Sequence, residues 1–334
     1  MSLARLGILL AVLCIATSDI FAILSQAPTF KVDVRVVNVL ATVRERKGRI
    51  VSDLSKDEFI LQEDGKPQQI QYFSRQTDLP LILGLLVDTS MSQGSLIEDE
   101  RNASFQFFDQ VLRPDCDQAF LIKFDYDAEL LQDLTNSRNS LKRALEGLET
   151  PDPRQYGGWQ RRGGGRQGGP GHGMGIGTIL FDSVFLASNE IFRKQEGRKA
   201  IILISDGVDN GSKLGTRDAI EAAQRADTLI YSIRYYDPDM YGFGGSTVFG
   251  RNEDKDGKNA LKSLSNETGG RMFEVTKKMK LKDIYDTIQE ELRNQYYLGY
   301  TAPENGVAGF RRITLRTKIP NLEVITRAGY YTKN

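Results

Sequence analysis

The sequence predicts an α/β fold in which a doubly wound, mostly parallel sheet is accompanied by a small β-sandwich domain built from the N- and C-terminal flanks. Three observations predict it. A nearly unbroken apolar run at Leu79 to Val87 and a second at Ala200 to Ser205 read as buried strands inside a parallel sheet, and Thr228 to Tyr235 reads as a further strand. Stretches with apolar residues at helical spacing alternate with them. Before residue 78 and after residue 294 the pattern becomes short β runs broken by turn residues, and neither flank has enough strands for a core of its own. The economical arrangement packs residues 28–77 and 295–334 together, with 79–294 as an inserted α/β domain.

In chain order, Met1 to about Ala22 sets Arg5 before the apolar run LGILLAVLCIA and then small and polar residues, the layout of a secretory signal. An uncleaved anchor over about Leu6 to Leu24 is the alternative, and Asp19 interrupts it. The expectation is a secreted or periplasmic protein of the cell envelope, with no membrane insertion once the signal is removed. The first flank alternates from Phe30 to Val43 with a change of phase at Val36 and Val37, which suggests a β-bulge or a shift between sheets. Ser55 to Glu58 has the Ser-x-x-Glu pattern of a capped turn of helix, and Phe59 to Gln62 with Gln69 to Phe73 flank a hairpin turn at Glu63 to Pro67.

After Leu79 to Val87 come helices at Ile97 to Leu112 and Ser137 to Leu148, with strands at Gln118 to Phe124 and Ala128 to Leu131 between them. From Pro151 to Gly177 the chain is rich in glycine and arginine, with Arg154, Trp159, Arg161, Arg162, Arg166 and the single histidine, His172. That composition reads as a flexible loop, or as a contact arm for an acidic partner. A helix then runs from Thr178 to Phe192. Thr216 is the expected N-cap of Arg217 to Ala226. A loop holding Gly242, Gly244, Gly245 and Gly250 precedes a helix at Lys258 to Glu267, stopped by Gly269 and Gly270. Arg271 to Val275 is a short strand and Leu281 to Arg293 a closing amphipathic helix, followed by β runs in QYYLGYTAP, FRRITLRT and LEVITRAGYY.

Forty-four basic and forty-four acidic side chains balance, which argues against a protein held to nucleic acid by phosphate contacts. Of the two cysteines, Cys14 lies in the signal, leaving Cys116 without an internal disulfide partner; it is expected as a small buried hydrophobe at a strand entrance.

The chemistry concentrates at the end of the first apolar run, where the chain turns through Asp88, Thr89, Ser90, Met91 and Ser92. In open α/β sheets, ligands bind beyond the carboxyl ends of the strands. A carboxylate and two small hydroxyls there are hard oxygen donors, suited to Mg²⁺ rather than zinc. Asp88, Ser90 and Ser92 resemble the DxSxS signature of von Willebrand factor A-type (VWA) domains. Thr178, at a helix start, and Asp206, ending the run KAIILISDG, stand in that family's order for the later elements of its metal-ion-dependent adhesion site.

The flanks, through FKVDVRVVNVLATVRERKGRIVSDLSKDEFILQEDGKPQQIQYFSRQTDLP, YYLGY and RAGYY, extend the resemblance to the bacterial secreted VWFA-related proteins best known from Acidobacteria. Met91, between the two serines, and the glycine-arginine tract depart from the pattern. The resemblance implies a Rossmann-like VWA fold and a non-enzymatic, exported protein-binding module. In it Asp88, Ser90 and Ser92 contact Mg²⁺ (Mn²⁺ or Ca²⁺ being alternatives) directly, Thr178 and Asp206 do so directly or through water, and an open position takes an Asp or Glu of a protein partner. A hydrolase using Asp88 as nucleophile and an envelope scaffold without metal are the competing readings.

Overall fold

A computed structural model of the chain describes residues 36–76, 79–90, 97–149, 177–235, 249–302 and 308–332. The expected signal, Met91 and Ser92, the glycine-arginine tract up to residue 176 and the loop at 236–248 lie outside them. No helix among the described residues is long and apolar enough to cross a membrane.

The strands are β1 (Val36–Glu45), β2 (Phe59–Glu63), β3 (Lys66–Gln68), β4 (Tyr72–Gln76), β5 (Leu81–Asp88), β6 (Gln118–Phe124), β7 (Ala128–Thr135), β8 (Arg198–Ser205), β9 (Thr228–Arg234), β10 (Met272–Glu274), β11 (Gln295–Thr301), β12 (Phe310–Thr317), β13 (Leu322–Thr326) and β14 (Gly329–Tyr331). The helices are α1 (Ile97–Val111), α2 (Arg138–Glu146), α3 (Leu180–Leu186), α4 (Thr216–Arg225), α5 (Phe249–Thr268) and α6 (Leu281–Arg293).

The central sheet runs β10-β9-β8-β5-β6-β7. Its pairings are parallel except for the antiparallel edge β6 with β7. Every residue of β5, β8 and β9 is buried, as strands covered on both faces require. Alternation along β5 then assigns the faces. Leu81, Leu83, Leu85 and Val87 pack with Phe107 and Phe108 of α1, Leu141 of α2 and Ile284, Tyr285 and Ile288 of α6. Ile82 and Leu86 pack on the other face with Leu180 and Val184 of α3, Ala219 and Ala223 of α4 and Leu261 and Leu264 of α5.

Gly84 falls on that second face. A Cβ there would meet Phe120 Cζ at 2.4 Å, and Phe120 is itself wedged edge-on against Phe192 with ring centroids 5.0 Å apart. Overpacking a filled core costs about 1–3 kcal/mol. Gly84→Ala should therefore lower stability by about that much in a urea melt, and Phe120→Leu in the same chain should recover part of it by opening space. A Gly84→Ala melt superimposable on wild type would show that the aromatic cluster yields freely.

The flanking strands form two four-stranded sheets, ordered β13-β1-β11-β4 and β14-β12-β2-β3. One buried cluster draws on both, with Val37, Val39, Ala41 and Val43 of β1 and Tyr296, Leu298 and Tyr300 of β11 meeting Phe59 and Leu61 of β2 and Ile313 and Leu315 of β12. Within it the Glu63 carboxylate accepts hydrogen bonds from the Tyr300 and Tyr330 hydroxyls at 2.5 and 2.9 Å, so its charge is buried with partners.

Several sequence expectations shift. The hairpin is tighter: β2 pairs with β3 across Asp64 and Gly65, both at positive φ, whereas 72–76 forms β4 and pairs with β11 in the other sheet. No bulge interrupts β1 at Val36 and Val37, whose pairing with Thr301 and Tyr300 is continuous. LEVITRAGYY is two strands, because Arg327 and Ala328 carry the chain from one sheet to the other. Gly250 lies inside α5. The N-cap of α4 is Gly215, with Thr216 its first residue; the Gly215 N–H donates to Asp218 at 2.9 Å.

Cys116 is exposed, not buried. It sits in the turn before β6, where Asp117 instead points inward to accept the Leu81 N–H at 2.8 Å.

Candidate functional site

From β5 the chain winds one way through β6 and β7, then returns to build β8, β9 and β10 on the other side. The connections diverge at the carboxyl ends of β5 and β8, which is where a crevice opens in a doubly wound sheet. The register pairs Val87 with Ile204, bringing Asp88 and Ser205 level at the ends of their strands.

Asp88 is fully buried. Its Oδ2 accepts a hydrogen bond from Ser205 Oγ at 2.6 Å, and its Oδ1 accepts the Ser90 N–H at 3.0 Å, which folds the chain into a turn just past the strand. Asp206 closes the same crevice from β8. Its Oδ1 accepts the Val208 N–H at 2.9 Å, and the Gly207 N–H donates to Ser205 Oγ at 2.9 Å. Gly207 has a φ of 90°, and a Cβ there would meet the Gly257 carbonyl at 2.3 Å, so the tight exit from β8 requires glycine.

Burial pushes the Asp88 carboxyl up to about 7, the charge of Asp206 adds to that rise, and hydrogen bonds from Ser205 and Ser90 oppose it.

Thr178 lies one residue before Ile179, the N-cap of α3, rather than in the helix. Its N–H donates to Asn210 Oδ1 at 2.8 Å, while its carbonyl accepts the N–H groups of Asn210 and Gly211 at 3.3 and 3.0 Å. Further bonds tie the same two segments. Asp209 Oδ2 accepts the Phe181 N–H at 3.0 Å, and the Asp182 carboxylate accepts the N–H groups of Lys213 and Leu214 at 3.1 and 3.0 Å. The loop that carries Asp206 is thereby fixed to the loop that carries Thr178. A third element joins at β6, where Asp125 Oδ2 accepts from Thr89 Oγ1 at 3.3 Å and the Asp125 carbonyl accepts the Ile179 N–H at 2.8 Å.

The structure thus sets Asp88 beside Ser90 and Asp206 at the carboxyl ends of β5 and β8, ties Thr178 to the Asp206 loop, and leaves Ser92 outside the described residues. Sequence reading missed Ser205, Asn210, Asp125 and Asp182. For Ser205 a signal existed, a lone hydroxyl closing the apolar run one residue before Asp206.

Two carboxylates with one wholly inside the protein form an arrangement that a cation relieves and that hydroxyl oxygens can complete. Among the described residues no group of three or more His, Cys, Asp or Glu side chains could hold a metal. The donors at hand among the described residues, on Asp88, Ser90, Thr178 and Asp206, are carboxylate and hydroxyl oxygens, with no imidazole or thiolate among them.

No protein-family model and no curated protein matches the chain. Solved structures do. An aerotolerance-related membrane protein from Bacteroides fragilis is 15% identical, with a TM-score of 0.42, over 64% of this chain and 98% of that one. The vWF domain of the type V pili tip protein Mfa5 from Porphyromonas gingivalis is 13% identical, with a TM-score of 0.44, over 65% of this chain and 96% of that one.

The likeness is to von Willebrand factor A-type domains. Proximal thread matrix protein 1 from the mussel byssus, in a form with a zinc-occupied MIDAS motif, is 15% identical, with a TM-score of 0.46, over 69% of this chain and half of that one. At these identities the VWA likeness concerns the fold. What the crevice does rests on its own residues.

Proposed function

We propose that the chain is an exported, non-enzymatic protein-binding module. In it a divalent ion, Mg²⁺ by the hardness of its donors, sits at Asp88, Ser90, Ser92, Thr178 and Asp206 and takes an acidic residue of a partner. The observation that carries this reading is the buried Asp88 beside Asp206 at the switch point of the sheet.

When bound, the ion would supply a positive centre with exchangeable coordination positions. This chain's residues do the rest: Ser205 and the Ser90 N–H orient the Asp88 carboxylate, and the Asn210 and Gly211 contacts hold Thr178 to the Asp206 loop. Two protein carboxylates against a doubly charged ion leave no strong surplus of negative charge, so an incoming Asp or Glu is not repelled.

Against hydrolysis by Asp88 stands position 90, two residues on, which offers a hydroxyl rather than a second carboxylate.

We read the two flank sheets as one small β-sandwich, with the VWA-like domain inserted between its halves. The shared core of Val39, Leu61, Leu298 and Leu315 supports that organisation. Export rests on the charged-then-apolar layout of the first 22 residues.

The test is a binding titration of the full chain against an envelope extract in Mg²⁺, in Mn²⁺ and in EDTA, with Asp88→Ala and Ser90→Ala alongside. Binding that needs the ion and is lost in both folded variants is expected. Equal binding in every condition would overturn the adhesion reading.

A further inference from the structure

Strand β13 lies at the end of its sheet, with β1 as its neighbour on one side. The register sets Thr42 against Ile325, Val43 against Val324 and Arg44 against Glu323. The Val43 carbonyl accepts the Val51 N–H at 2.8 Å on the side of β1 away from β13, so the polar backbone groups of Thr42 and Arg44 are the ones turned toward β13. The Leu40 carbonyl, two residues earlier, faces the same way and accepts from Thr326 Oγ1 at 2.7 Å. Glu323 and Ile325 therefore bond to β1, and the N–H and C=O of Val324 point out of the sheet.

That edge is recessed. With Val324, Ile325 and Thr326 it lines a cleft of about 530 Å³, whose other walls include Lys258, Lys262 and Asn266 of α5 and Met272 of β10. The turn after α5 closes the cleft at one end, where a Cβ on Gly269 would meet the Arg327 nitrogen at 2.5 Å. Backbone donors and acceptors on a free edge are satisfied by water or by a strand from another chain.

The lining selects the charge of such a strand. Arg44, Lys258, Lys262 and Arg271 stand in it against the carboxylate of Glu323. Arg44 is engaged by Glu323 at 3.0 Å, Lys258 by Glu274 at 2.9 Å and Arg271 by Glu291. Lys262 is exposed and has no ion-pair partner among the described residues, so its ammonium is left for an incoming acid.

We propose that the free edge of β13 takes an extended acidic segment of a partner protein as an added strand. Main-chain hydrogen bonds to Val324 hold it, and acidic side chains at alternate positions, which share one face of a strand, meet Lys262 and Lys258. The cleft shares no lining residue with the crevice at Asp88, so this binding needs no divalent ion.

The experiment is isothermal titration of the full chain, in Mg²⁺ and in EDTA, with an end-blocked hexapeptide of alternating valine and glutamate. A Kd of about 1 mM or tighter is expected in both buffers. The same peptide with lysine in place of glutamate should bind at least about tenfold more weakly, and Lys262→Glu should weaken the acidic probe by about the same factor. Amide exchange by NMR at saturating acidic peptide separates an added strand from loose charge attraction, since exchange at the Val324 N–H of the wild-type chain should then slow about tenfold or more. Binding that leaves the Val324 rate unchanged would overturn the proposal, as would equal affinity for the lysine peptide or no measurable heat up to about 10 mM. Binding seen in Mg²⁺ and absent in EDTA would also overturn it, because the peptide would then be held at the Asp88 crevice.

Discussion

Asp88→Asn should abolish the response of the protein to Mg²⁺ while leaving the domain folded. A ligand at about 100 times its Kd stabilises the native state by about 2.7 kcal/mol, and in a domain of this size each kcal/mol moves Tm by about 2–4 °C. Wild type should therefore melt roughly 5–10 °C higher in Mg²⁺ than in EDTA, and Asp88→Asn should melt at the same temperature in both. In EDTA the variant should be at least as stable as wild type. It replaces a fully buried carboxylate set against Asp206 with a neutral amide of the same shape, which still accepts from the Ser90 N–H.

Neither chelation nor substitution should melt the domain, because Leu83, Leu85, Ile202 and Leu203 are wholly buried in the apolar clusters on the two faces of the central sheet. Differential scanning calorimetry in the two buffers is the measurement. A Mg²⁺ shift that survives in Asp88→Asn would remove Asp88 from the site.

How much of this was legible in the sequence follows from how local the cause is. Strands β5 and β8 were readable because burial on both faces leaves a nearly unbroken apolar run, Leu81 to Val87 and Ala200 to Ile204, a property of the segment itself. The split of β3 from β4 was not. β4 is defined by pairing with β11, in a stretch more than 200 residues away, and nothing near Tyr72 announces that partner.

The positions of Asp88 and Asp206 at strand ends were equally visible. The Ser205 hydroxyl that orients Asp88 acts across a separation of 117 residues, and Asn210 reaches Thr178 across 32. Such contacts exist only once the sheet order is fixed. At Cys116 and Asp117 periodicity could not decide which neighbour turns inward. Hydrogen bonding decided it, since the buried backbone N–H that opens β5 needs an acceptor and a thiol is a poor one.

That acceptor gives the second large effect. Asp117 is 1% exposed, and its Oδ1 accepts the Leu81 N–H at 2.8 Å and Arg113 Nη2 at 2.9 Å. Its Oδ2 accepts the Arg113 N–H and Nε at 2.9 and 3.0 Å. One carboxylate thus anchors the first residue of β5 to the segment that follows α1. Asp117→Ala orphans those donors, and each buried donor without an acceptor costs about 1–3 kcal/mol, so a loss of about 3 kcal/mol is expected in a urea melt at pH 7.

Burial alone would raise the Asp117 carboxyl, but the Arg113 guanidinium and the N–H groups of Leu81 and Arg113 outweigh it and hold the carboxyl below the usual range. With the folded value below the unfolded one of about 3.9, the stabilisation is complete above that pH and is lost as pH falls through the folded value. The gap between wild type and Asp117→Asn should therefore be widest near neutrality and close progressively on acidification below about pH 4. Melts of both proteins across that range test it: a gap that stayed constant with pH would show that the carboxylate's charge contributes nothing at the base of β5.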